Sequence, residues 1–267
     1  MKIRLIGDHS EYHCGSEAAF RAIWEEVRRH GNIVGAEGDY DLLVVNGEGS
    51  MHHDSKGCQR KMEEVRKAQS EGRRVALVNT VWQDNPSAYA DVLAGCEQVI
   101  VREVCSARAL SEVGISAQVS LDAAFSCEVE DVEPVDFEGA VLVTDFFSQE
   151  FNTFVKITGK WADKFVYIDL RDWSWSHLVR SMSTASLLIT GRHHAVYAAC
   201  KARLPFVALE GNTHKIRGLV ETASSDIPIF RHFSELRENL SWPQTHMDRY
   251  ERLFDWMDKQ PSWRLVF

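Results

Sequence analysis

Residues 186–209 read SLLITGRHHAVYAACKARLPFVAL. The short apolar run Leu187–Thr190 has the length of a buried strand, and Gly191 breaks it. A helical pattern over Ala195–Ala202 follows, and then a second apolar run, Phe206–Leu209. Strand, crossover helix and strand make the repeating unit of a parallel sheet. Arg192, His193 and His194 fall between the first strand and its helix. At a helix N-terminus the dipole and the unbonded amides favour an anion. Arg192 brings a planar fork that matches a carboxylate or phosphate, and an imidazole beside it exchanges a proton near neutral pH.

The same rhythm extends outward to both ends of the chain. Upstream, strand patterns at Lys2–Ile6, Asp41–Val45, Arg74–Asn79, Gln98–Val101 and Ala117–Leu121 alternate with helix patterns at Ser16–His30, Gln59–Glu71, Ala88–Leu93 and Cys105–Val113. From Cys127 to Glu138 the chain turns acidic and aperiodic (CEVEDVEPVDFE), as a boundary between domains does. Beyond it come Ala140–Thr144, a helix around Glu150–Lys164, Phe165–Leu170 and a helix over Ser176–Ala185. After the opening segment, a helix over Ile216–Thr222 and an apolar stripe at Met247, Tyr250, Leu253, Phe254 and Met257 complete the pattern. The expectation is an α/β protein of two Rossmann-like domains, 1–128 and 139–267. The second carries a C-terminal helix, and the active site is expected in the cleft between the two.

Composition narrows the function. A net charge of −9 over 267 residues argues against a nucleic-acid partner, because gripping a phosphate backbone takes clustered Lys and Arg. Six cysteines without CxxC spacing, an N-terminus that opens on a strand pattern and no apolar run near the ~20 residues of a membrane span point to a cytoplasmic protein with free thiols. Peripheral contact with a membrane surface stays open.

Ligands of parallel sheets bind beyond the carboxyl ends of the strands. The polar residues there are Asp8–His9, Asn46-Gly-Glu-Gly-Ser50, Asn79–Thr80, Arg102–Glu103, Asp122, Asp145, Asp169, Gly191–His194 and Glu210-Gly-Asn212. Asn46, Gly47, Gly49 and Ser50 form a glycine loop in which the backbone is expected to turn and offer its amides; a plain strand-to-helix turn is the competing reading. It lacks the Gly-Lys-Ser/Thr of a Walker loop, and the chain has no GxGxxG, so nothing supports a dinucleotide cofactor. His52-His53-Asp54 lacks a third ligand at metal spacing, and no metal is expected. Cys14 reads as a small inert thiol. Trp173 and Trp175 read as packing residues, with a sugar site as the alternative. Lys215 is as consistent with a solvated surface as with a ligand-facing position.

His13-Cys-Gly-Ser-Glu-Ala18, the Asn46–Ser50 loop, Arg102 with Ser106 and Gly114, Asp122, and above all Thr190-Gly-Arg192-His-His194 with Pro205 and Lys215 resemble the polysaccharide pyruvyl transferase family. The resemblance covers roughly residues 3 to 222. It implies a fold similar to the GT-B glycosyltransferases and the transfer of pyruvate from phosphoenolpyruvate to a sugar as a ketal. It implies no cofactor besides that donor, and a glycan or lipid-linked sugar as acceptor. Arg192 and His194 match the family's Arg-x-His motif as catalytic residues, and Arg102 matches an arginine that holds the donor. Asn46, Gly47, Gly49, Ser50, His193 and Lys215 are the remaining candidate substrate-binding residues. Ser16 stands where an aspartate is usual, and His193 where an apolar residue is usual. Two other readings fit the two-domain outline: a GT-B glycosyltransferase using a nucleotide sugar, and a non-catalytic sugar- or anion-binding protein.

Overall fold

A computed structural model describes residues 1–36, 38–145 and 165–265. The chain divides into two compact units, Met1–His9 with Ala19–Ser126 and Ser262–Phe267 as unit 1, and Ser10–Ala18 with Cys127–Pro261 as unit 2.

Unit 1 is built on a parallel sheet of β1 (Lys2–Ile6), β2 (Asn32–Ile33), β3 (Leu42–Glu48), β4 (Arg74–Thr80), β5 (Gln98–Val101) and β6 (Gln118–Val119), in the order β2-β1-β3-β4-β5-β6. β3 is buried along its whole length, as befits an inner strand of a parallel sheet covered on both faces. The helices are α1 (Cys14–His30, which begins in unit 2), α2 (Lys56–Ser70), α3 (Ala90–Ala94), α4 (Val104–Glu112) and α5 (Ala123–Ser126). The Ser55 hydroxyl starts α2 by accepting from the Cys58 amide at 3.2 Å. Spacings of three and four then put Cys58, Met62, Val65 and Ala68 on one face, in the same apolar core as Leu43, Val45, Val75 and Leu77. Each large apolar side chain buried this way contributes roughly 1.5–3 kcal/mol.

Unit 2 repeats the plan with β7 (Val141–Val143), β8 (Phe165–Tyr167), β9 (Leu187–Thr190), β10 (Phe206–Leu209) and β11 (Ile229–Phe230), all parallel, in the order β11-β10-β9-β7-β8. Its helices are α6 (Trp175–Met182), α7 (His193–Lys201), α8 (Lys215–Thr222), α9 (Phe233–Glu238), α10 (Trp242–Thr245) and α11 (Met247–Asp258). α11 buries Tyr250, Leu253, Phe254 and Met257, the stripe its sequence spacing predicts. The Tyr250 hydroxyl donates to the Phe206 carbonyl, and Arg203 pairs with Glu251, Asp255 and Asp258 along its outer face. The acidic segment after Cys127 is extended chain fastened to hydroxyls. The amides of Glu130, Val135 and Phe137 donate to Ser176, Ser181 and Thr184 at 3.0, 2.9 and 2.8 Å. The helix expected around Glu150–Lys164 lies outside the described residues.

In both sheets the first strand of the unit lies between the second and the third: β1 between β2 and β3, β7 between β8 and β9. The winding reverses there, so each unit has its own switch point, the place where parallel sheets hold ligands.

Candidate functional site

At the switch point of unit 2 the chain leaves β7 through Thr144–Asp145 and β9 through Gly191–Arg192. Arg192 takes the N-cap position of α7. Its fork grips Asp145, Nε donating at 2.7 Å and the second contact running from Nη2, while Nη1 donates to the Tyr12 hydroxyl at 2.8 Å. The guanidinium also lies 5.6 Å from the centre of the Tyr12 ring, within cation–π range. Asp169, beyond β8, pairs with Arg171, which holds its carboxyl down at about 2. Tyr12, His13, Asp145, Asp169, Arg171 and Arg192 line a cavity of about 160 Å³.

Below this rim two helix starts meet. A Cβ on Gly15, in the first turn of α1, would overlap His194 in the first turn of α7. Only glycine allows that approach, which brings the His13 and His194 rings to 5.1 Å, edge to face. The His13 Nδ1 accepts from the Ser16 amide at 3.2 Å, so its proton sits on Nε2. Burial pushes its pKa down to about 3, helped by His194, Arg192 and Lys215. His13 is therefore a neutral imidazole beside a cationic neighbourhood. His193 is buried against Tyr197, with ring centres 4.6 Å apart, and belongs to the packing of α7. Lys215, half-buried, donates to Asn212 at 3.2 Å. Cys14, despite its helix N-terminus, is pushed up to about 12 by burial and Glu17, and remains a thiol. Trp175 is buried in unit 2, and the Trp173 ring lies 5.9 Å from that of Phe137.

Unit 1 uses most of its expected site residues on the protein itself. Asn46 is fully buried; its amide donates to the Gly7 carbonyl at 2.9 Å, and its oxygen accepts from Asn79 at 3.4 Å. Asn79 in turn accepts from the Ala123 amide at 3.0 Å, so two asparagines lace the strand ends together. Arg102 is 1% exposed, paired through Nη1 with Asp122 and donating through Nη2 to the Glu48 carbonyl at 3.2 Å. The glycine loop departs from its expected turn: β3 runs on through Gly47 to Glu48, and the left-handed residue is Glu48, with φ of 42°. Gly47 is small because a Cβ would overlap the Thr80 side chain. Gly49 lies in the turn that follows, closed by the Ser50 amide on the Gly47 carbonyl at 3.3 Å. The Ser50 hydroxyl donates to that carbonyl at 2.9 Å and accepts from Lys61.

Lys61, Tyr12 and His13 escaped the strand-end reading. Tyr12 and His13 follow Asp8–His9 by only a few residues, a signal that could have found them, whereas Lys61 sits within a charged helix pattern and is made special only by burial. Among the described residues no group of three or more His, Cys, Asp or Glu side chains is placed to hold a metal ion, and no helix is long and apolar enough to cross a membrane.

The model of the polysaccharide pyruvyl transferase family matches residues 4–213. No curated protein matches the chain. Among solved structures, a functionally uncharacterized Klebsiella pneumoniae protein superposes with a TM-score of 0.61 at 10% identity, covering 85% of this chain and 90% of that one. The UDP-GlcNAc 2-epimerase of Neisseria meningitidis, bound to UDP-GlcNAc, gives 0.57 at 8% identity over 95% and 94%. The Methanocaldococcus jannaschii UDP-GlcNAc 2-epimerase gives 0.51 at 12% over 97% and 92%. At such identities the likeness establishes the fold, two Rossmann-like α/β units of the GT-B-like class with a C-terminal helix.

Proposed function

Because the chain belongs to the polysaccharide pyruvyl transferase family, we propose that it moves pyruvate from phosphoenolpyruvate to a sugar of a polysaccharide or glycoconjugate, as a ketal, in the cytoplasm. The observation that carries this reading is the pairing of Arg192 with Asp145 at the switch point of unit 2, with Arg192 as the N-cap of the helix whose first turn carries His194. Phosphoenolpyruvate offers a carboxylate and a phosphate to that fork and to the helix N-terminus. An incoming anion exchanges with Asp145 for Arg192. Lys215 adds positive charge, and neutral His13 adds a hydrogen-bond donor that takes no part in proton transfer.

In the chemical step, protonated His194 gives its proton to the methylene carbon of the enol. The adjacent carbon becomes electrophilic and a sugar hydroxyl attacks it, forming one C–O bond. The bond to the phosphate oxygen then breaks, and phosphate leaves with its electron pair and with the proton given up by the attacking hydroxyl. A second hydroxyl of the sugar closes the ketal and releases a proton, for which Asp145, once displaced from Arg192, is a carboxylate in the right unit. Arg102 belongs to unit 1 and is already held by Asp122, so its proposed contribution is to position Asp122 and the end of β3.

His194 carries the test. A general acid contributes about 10²–10⁴-fold to rate, so His194→Gln keeps phosphoenolpyruvate binding and loses turnover by that factor. His193→Gln, in a ring packed on Tyr197, loses far less. Phosphate release is measured for both on the same acceptor at saturating donor. Near-normal turnover in His194→Gln removes the mechanism, and binding of a UDP-sugar with none of phosphoenolpyruvate removes the reading itself.

A further inference from the structure

Unit 1 has a cavity of its own at its switch point. It measures about 320 Å³, within the range of roughly 300–1,000 Å³ typical of small-molecule sites, and its polar lining includes Asp8 and His9 from the exit of β1, Ser50 beyond β3, and Arg60, Lys61 and Glu64 from α2. Arg4 of β1 lies at its side, 3.4 Å from Glu64.

Lys61 organises this cavity. Its ammonium is buried, and each of its three N–H groups has an acceptor: the Gly47 carbonyl at 3.0 Å, the Ser50 hydroxyl at 2.6 Å and the His9 Nε2 at 3.0 Å. A nitrogen that accepts from an ammonium carries no proton, so the His9 proton is fixed on Nδ1. Burial and the Lys61 charge both lower the His9 pKa, which keeps the ring neutral, and burial lowers that of Lys61 to about 8. The lysine is thus spent on holding a histidine in one tautomer. A histidine so held is a fixed neutral donor.

The charges select a ligand class. An anion would meet the carboxylates of Asp8 and Glu64, and a cation would meet two guanidinium groups and an ammonium. A neutral polyol suits both signs, since each hydroxyl donates to a carboxylate and accepts from a guanidinium or an imidazole N–H. We propose that this cavity is a subsite for one hydroxyl-rich sugar unit, bound by His9, Asp8 and Arg60, with Lys61 as the positioning residue. It deepens, and rests on, the reading of the chain as a transferase acting on a glycan.

The test labels the histidines with ¹⁵N and follows the ring signals of His9 and His194. The probes are the methyl glycosides of glucose, galactose, mannose and N-acetylglucosamine, with inorganic phosphate and phosphoenolpyruvate as separate arms. At least one glycoside shifts His9, and phosphate does not. Arg60 is exposed, so Arg60→Ala folds; it weakens that glycoside about tenfold, the loss of one charged hydrogen bond. Lys61→Met lets the His9 proton move to Nε2, visible in the nitrogen shifts. The proposal is overturned if no glycoside moves His9, if phosphate moves it instead, or if Arg60→Ala binds as wild type. Phosphoenolpyruvate that fails to move His194 counts against the transferase reading alone, so the two failures are distinguishable.

Discussion

His13 titrates far below an ordinary histidine, and this sets how the molecule responds to acid. In the unfolded chain its ring protonates below about 6.5; in the folded protein burial, then His194 and Arg192, delay this to about 3. Between these values the unfolded state binds more protons, so the folded state loses stability as pH falls. The contribution is fully present above about 6.5 and gone near 3. From pH 7 to pH 5 the loss at this residue is on the order of 2 kcal/mol. Urea midpoints measured across that interval are expected to fall less in His13→Gln than in wild type, and parallel curves would place the sensitivity elsewhere. The residues that sequence places correctly are those whose position is set by one element, such as Arg192 and His194 at the exit of β9. Tyr12 gains its role from Arg192, 180 positions away, a pairing that no local pattern encodes. Lys61 is the same case with His9, 52 positions apart. Asn46 and Arg102 stand at strand ends as a site requires, yet their partners are Gly7, Asn79, Asp122 and Glu48 of the same sheet edge.

Elements depend on how closely they approach, and the start of α1 is the sharpest case. Gly15 stands where a methyl group would occupy the space of the His194 side chain. Gly15→Ala therefore forces the start of α1 away from that of α7, because the nearest atom is the His194 Cβ, which no rotamer change moves; the overpacking cost is about 1–3 kcal/mol. The variant is expected to melt lower and to lose turnover more than phosphoenolpyruvate binding, because the histidine moves while Arg192 stays on Asp145. Equal stability and activity in the two proteins would mean that the helix starts have room to spare. The long strands and helices were legible because burial imposes a period of two or 3.6 on them. β2 and β11, two residues each, are too short to carry a period and went unseen. The expected strand Ala117–Leu121 shrinks to Gln118–Val119 because it lies at the edge of its sheet, with pairing on one side. The glycine loop misled because small residues serve close packing as well as turning: Gly47 stays in β3 while Glu48 takes the left-handed conformation.

On the scale of the molecule, each unit is discontinuous in sequence, and composition gives no hint of it. Trp263 and Leu265 belong to unit 1, their amides donating to the Ser126 hydroxyl at 2.9 Å and to Glu26 at 3.1 Å. Both side chains are buried. Trp263→Ala leaves a cavity costing about 3–5 kcal/mol. Hydrogen exchange is expected to quicken across β1 and β3–β5 and to remain slow in β9 and β10. Loss of protection confined to β9 and β10 would assign the tail to the other unit. The shared 2-1-3 winding was foreseeable as two α/β halves of one kind, although strand order itself was not, since a crossover helix leaves no record of the side to which it returns.

The partition of the chain also bears on its synthesis. Residues 10–18, which begin α1 and bring Gly15 to His194, leave the ribosome long before α7 exists to receive them. Unit 1, whose sheet is finished by residue 119, still awaits residues from Ser262 on. The newborn chain therefore carries residues 10–18 unpartnered until the rest of unit 2 is made, whereas unit 1 has every residue of its apolar core by residue 119 and receives Trp263 and Leu265 last.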